Sequence, residues 1–184
     1  MTQEEGALLL KVARTAIEHH LAQKLPPPLD QKNPHLWEKR GAFVTLMKEG
    51  RLRGCIGRIE GTYPLIETVS QMAIAAAFND PRFAPLQVEE FPFILLEVSV
   101  LSPLVQVKDP LTIQVGGDGL LVQRGFFSGL LLPQVAKEYH WTREEFLANT
   151  CYKAGLPAEA WKEKETELYT FTTEIFSEEA PHVS

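Results

Sequence analysis

The sequence predicts an α+β fold, a largely antiparallel β-sheet flanked by helices in a single domain of two lobes spanning residues 1–184. Apolar residues recur at helical spacing in some stretches and alternate in others. Glycine-bearing turns join successive strands as hairpins, and the strand–helix–strand units that build parallel sheets are few. With 184 residues, 45% hydrophobic and 23% charged, the chain is of globular composition and long enough to bury roughly 70% of its unfolded surface.

Thr2 followed by Glu5 is a capping-box signal, and Leu8, Leu9, Val12, Ala13, Ala16 and Ile17 then share one helical face. That helix ends before the prolines at 26–28. The following stretch, PPPLDQKNPHLWEKR, is a connection over the surface anchored by Trp37, because prolines remove donors and extend the residues before them. Two β-favouring runs, Ala42–Met47 and Leu52–Ile59, are joined through Gly50 as a hairpin. Pro64 opens a helix whose end is rich in alanine, and NDPRFAP stops it. FILLEVSVLSP reads as a strand buried on both faces. LTIQV and LLVQ, separated by GGDG, read as a second hairpin, while FFSGLLLP fits either strand or loop. Pro133 opens a short helix, and Thr142 with Glu145 caps another that ends at Gly155. ELYTFTTEIF alternates with the period of one strand.

Charge and composition exclude several classes of function. A net charge of −6 disfavours sequence-independent attraction to phosphate backbones, so nucleic acid is not expected as a partner. The distribution is uneven: Trp37–Arg58 carries six basic residues against two acidic, and Glu159–Ser184 seven glutamates against two lysines. No apolar run is long enough for a bilayer span, and the first residues are acidic where a signal peptide is basic. A cytoplasmic protein without membrane attachment is expected, and its two cysteines, Cys55 and Cys151, should be free thiols.

The hairpin strand RLRGCIG holds the residues with most chemistry in them. Strict alternation puts Arg53, Cys55 and Gly57 on one face, and Leu52, Gly54 and Ile56 on the other. A guanidinium beside a cysteine favours the thiolate over the thiol. Gly54 and Gly57 lack side chains, so a ligand or another backbone can approach there, and their amides can donate to an anion. The alternative is packing: cysteine is often buried, and strand glycines accept the alanine face of a helix.

NDPRF adds Asp80 and Arg82. In a functional reading, Arg82 grips a carboxylate or phosphate and Asp80 is an orienting base; in a structural one, they pair at a helix end. Cys151 is expected in the core, and GGDG is read as a hairpin turn. The histidines at 19, 20, 35, 140 and 182 have no metal-ligand spacing, so no metal site is expected.

FVTLMKEGRLRGCIG, with AAAFNDPRFAPL, EVSVLSP, GDGLLV, LLPQV and FLANTCYKAGLP in order, resembles the AMMECR-one family, called AmmeMemoRadiSam system protein A in prokaryotes, whose hallmark is LRGCIG at Leu52–Gly57. The resemblance covers nearly the whole chain as one domain of that type, and implies a groove lined by this strand and association with Memo-type and radical-SAM proteins. It supplies no reaction and no cofactor. The expected function is binding of a small anionic ligand by Arg53, Gly54, Gly57 and Arg82, with Cys55 and Asp80 as catalytic candidates. The alternative is a non-catalytic partner-binding or adaptor protein.

Overall fold

The computed structural model describes residues 1–29 and 32–179; part of the proline-rich connection and His182 lie outside them. The chain divides into two compact units, Met1–Leu101 with the segment from Glu174 onward, and Ser102–Thr173. The class is α+β, with an antiparallel sheet in each unit.

In the first unit, helix α1 (Gln3–Leu21) starts at the expected capping box: Thr2 Oγ1 accepts from the Glu5 amide, and the Glu5 carboxylate from the Thr2 amide. Strands β1 (Ala42–Lys48) and β2 (Arg51–Arg58) form the hairpin, turning through Gly50 at φ +73°. Helix α2 (Leu65–Phe78) and strand β3 (Ile94–Leu101) follow. The sheet order is β2-β1-β3-β8, where β8 is Thr173–Ser177, so β2 is an edge. Ala42, Val44 and Leu46 of β1 join Leu9, Ala13 and Ile17 of α1 and Val69, Met72 and Ala73 of α2 in one buried core, with Trp37 packed against it. The alternate β1 residues Phe43, Thr45 and Met47 stay half-buried on the opposite, open face.

The second unit holds a sheet of order β4-β7-β5-β6, with β4 (Val105–Gln106), β5 (Gly119–Arg124), β6 (Phe127–Leu131) and β7 (Glu167–Phe171). Helices α3 (Pro133–Glu138) and α4 (Arg143–Lys153) complete it, and α4 carries the second capping box. Two expectations are corrected here. LTIQV is not a strand: Pro110–Thr112 forms a 3-10 turn capped by the Asp109 side chain, and β5 pairs with the FFSGLLLP segment. GGDG therefore leads into β5 rather than closing a hairpin, held by the Gln114 amide donating to Asp118 at 2.8 Å. ELYTFTTEIF is two strands in two sheets, β7 and β8. Local alternation cannot reveal that change of partner.

Candidate functional site

The register of β1 and β2 changes what their residues face. Thr45 pairs with Cys55 and Leu46 with Gly54, but Met47 pairs with Leu52, which leaves Arg53 as the extra residue of a β-bulge. Beyond the bulge Leu52, partner of the open-face residue Met47, continues the row that strict alternation assigned to Arg53. Bulges re-aim a side chain, and Arg53 is directed to the segment after α2. Its Nε and Nη2 donate to the two oxygens of Glu90 at 3.1 and 2.9 Å, and Nη2 also donates to the Ala84 carbonyl at 3.0 Å. Lys48 Nζ donates to the same carboxylate at 2.9 Å. These cations, Arg53 first, lower the Glu90 pKa from the usual 4.5 to about 2, against the opposing effect of burial. Arg53 is thus charge-balanced by Glu90.

Cys55 is half-buried, and its sulfur accepts a hydrogen bond from Thr45 Oγ1 at 3.2 Å. The Cys55 amide points off the sheet edge and donates to Asp80 Oδ2 at 2.9 Å, so Thr45 and Cys55 form a non-hydrogen-bonded pair, the kind that brings side chains closest. Asp80, 3% exposed at the foot of α2, accepts from Arg82 Nε on Oδ1 at 3.0 Å and from Arg82 Nη2 on Oδ2 at 2.7 Å. Arg82 Nη2 also donates to the Cys55 carbonyl at 3.2 Å. The pair therefore satisfies both backbone groups of Cys55, doing for the open edge what a neighbouring strand would do. Arg82 and two backbone amides hold the Asp80 pKa far below the carboxylate range despite burial, and the Asp80 carboxylate raises that of Arg82. With both oxygens occupied, Asp80 is a fixed anion and a poor proton acceptor. The Phe83 ring has the Arg53 and Arg82 guanidiniums 5.9 and 5.5 Å from its centroid.

The two glycines have packing explanations. A Cβ on Gly54 would lie 2.2 Å from the Ala76 carbonyl oxygen of α2, and one on Gly57 2.1 Å from the Phe43 ring. The close approach that motivated them as ligand contacts is occupied by the protein itself. Cys151 is fully buried, and burial pushes its thiol pKa up. Among the described residues, no group of three or more His, Cys, Asp or Glu is placed to hold a metal ion.

The structure thus brings Cys55, Asp80 and Arg82 together and gives Arg53 to Glu90. Sequence reasoning missed Thr45, Glu90 and Glu97. Thr45 and Glu97 face each other across β1 and β3, so the open face carries a row Cys55, Thr45, Glu97, with Ser177 of β8 donating to Glu97 at 3.0 Å. Thr45 was open to discovery by counting back through the hairpin; Glu90, 37 residues after Arg53, carried no local signal.

The AMMECR1 family profile matches residues 10–176. This chain belongs to the AMMECR1 family. Protein PH0010 of Pyrococcus horikoshii is 47% identical, with 97% of this chain and 92% of that protein covered. A protein of Methanothermobacter thermautotrophicus is 48% identical with 97% of each covered, and Protein MJ0810 of Methanocaldococcus jannaschii 44% identical with 98% and 94% covered. The crystal structure of PH0010, described as an uncharacterized protein, superposes with a TM-score of 0.89 at 46% identity, covering 98% of this chain and 95% of that one. The α+β fold is shared with this AMMECR1-type structure. Among the described residues, no helix is long and apolar enough to cross a membrane.

Proposed function

We propose that this AMMECR1 protein binds a small anionic ligand on the open face of its first sheet, with Cys55 as the reactive or contacting group. The observation that carries the reading is the hydrogen bond from Thr45 to a half-buried Cys55 sulfur, which fixes the sulfur beside a polar partner on the same face of the sheet. Both guanidiniums are paired with a carboxylate, Arg53 with Glu90 and Arg82 with Asp80, and Arg82 is the one a ligand can reach, since its side chain is 54% exposed and that of Arg53 13%. Asp80, Arg53, Gly54 and Gly57 serve this site by fixing the strand, its bulge and its packing on α2.

On the family resemblance we also propose a cytoplasmic setting with Memo-type and radical-SAM proteins as partners. Native mass spectrometry of the protein isolated from its host tests the ligand reading. A small anion retained by the wild type and lost in Cys55→Ser and Arg82→Ala supports it. A protein that carries no small molecule, yet co-purifies with a partner that Leu52→Glu releases, supports the adaptor reading instead; Leu52 is 41% exposed in the same row of the sheet.

A further inference from the structure

A cavity lies in the first unit between α1 and the proline-rich connection. The connection is tied to α1 at two places. Near one end the Lys24 amide donates to the His19 carbonyl at 2.9 Å, and the His19 ring Nδ1 lies 2.7 Å from the Leu25 carbonyl. Near the other, Glu5 Oε1 accepts from Asn33 Nδ2 at 3.2 Å and lies 2.9 Å from the His35 ring Nδ1. Glu5 and His19 are 14 positions apart on the helix, about 21 Å at 1.5 Å per residue.

Between these ties is a cavity of about 310 Å³, walled by Pro27, Pro28 and Leu29 on one side and by the α1 stripe Leu8, Val12 and Ala16 on the other. Prolines hold their segment extended and have no amide to donate, so this wall does not fold down onto the helix. The space is a groove open at the exposed Lys11 and Pro28, and its apolar floor suits the hydrocarbon part of a guest. Its volume falls at the lower end of ligand pockets, about 300–1,000 Å³.

Three polar side chains also line it: Lys11 and Thr15, one turn apart on α1, and Ser70 of α2. Among the described residues none of them makes a hydrogen bond or ion pair, and no carboxylate lines the space. A cation and an uncommitted hydroxyl at the rim of an apolar groove fit one class of ligand. We propose that this cavity binds an amphipathic monocarboxylate, its hydrocarbon body among Val12, Ala16 and Leu29 and its carboxylate at Lys11 and Thr15, one turn apart on α1. This site is independent of Cys55.

The test is isothermal titration calorimetry of the full chain with octanoate, 1-octanol and octylammonium as probes. Octanoate is expected to bind at one site with a dissociation constant of about 0.1–1 mM, and octylammonium at least about tenfold more weakly. Lys11→Glu, on the exposed rim, should weaken octanoate roughly tenfold and leave 1-octanol unchanged. Thr15→Phe, which fills the chamber, should abolish both, with melting temperatures showing that each variant is folded. No saturable octanoate binding, equal binding of octylammonium, or indifference to either variant overturns the proposal.

Discussion

The Thr45 hydroxyl donates to the Cys55 sulfur at 3.2 Å across a non-hydrogen-bonded pair of β1 and β2. A side-chain hydrogen bond contributes about 0.5–1.5 kcal/mol. Thr45→Val, which keeps the shape and removes the donor, should slow alkylation of Cys55 at neutral pH by roughly tenfold, and Thr45→Ser should restore most of the rate. Rates of iodoacetamide labelling followed by mass spectrometry check this; equal rates in all three proteins would show that the hydroxyl has no part in the thiol's chemistry.

Much of this arrangement is legible in the sequence, and its limits are physical. Capping boxes at Thr2 and Thr142, the turn at Gly50 and the helix after Pro64 are local signals, and the structure carries each of them. The facing of Arg53 was not legible, because a bulge is a property of two strands: one unpaired residue reverses every side chain beyond it while leaving the apolar pattern almost intact. The Arg53–Glu90 and Asp80–Cys55 contacts join residues 37 and 25 positions apart and depend on how the segment after α2 lies along the edge.

Asp80 and Arg82 should be read through the exchange behaviour of one amide. In Asp80→Ala the Cys55 N–H loses its acceptor, so its hydrogen exchange measured by NMR should accelerate by at least about tenfold, the equivalent of a hydrogen bond near 1.4 kcal/mol. Arg82→Ala removes the donor to the Cys55 carbonyl but leaves the Asp80 acceptor, and should accelerate it less. Unchanged exchange in Asp80→Ala would mean that this pair does not protect the edge.

The two glycines of the strand separate by what stands in the way. Gly54→Ala drives a Cβ against the backbone of α2 at Ala76 and should cost about 3 kcal/mol in urea unfolding, whereas Gly57→Ala meets the Phe43 side chain, which must swing to another χ1 rotamer but leaves the backbone in place, and should cost about 1–2 kcal/mol. Equal costs would contradict the different packing of the two positions.

Glu5 and Glu90 both have folded-state pKa values of about 2 against 4.5 for the free group, Glu5 through the Thr2 amide, Asn33 and His35, and Glu90 through Arg53 and Lys48. A lowered folded-state pKa gives stability that is complete above the unfolded value and is lost as pH falls toward the folded one. Unfolding midpoints in urea should therefore hold steady above about pH 5 and drop between about pH 4.5 and 2. Glu90→Gln should lower the unfolding free energy at pH 7 by about 2 kcal/mol, because Arg53 is then left without its counter-charge, and should flatten the acid slope, because one titrating carboxylate is gone.

Labelling of the two thiols in the native state tests the central reading most directly. Iodoacetamide at pH 7, with peptide mapping, should modify half-buried Cys55 in the folded protein and leave fully buried Cys151 untouched until denaturant is added. Should Cys55 resist modification until the protein unfolds, and then react together with Cys151, the sulfur on this strand is a packing element and the proposed thiol site is contradicted.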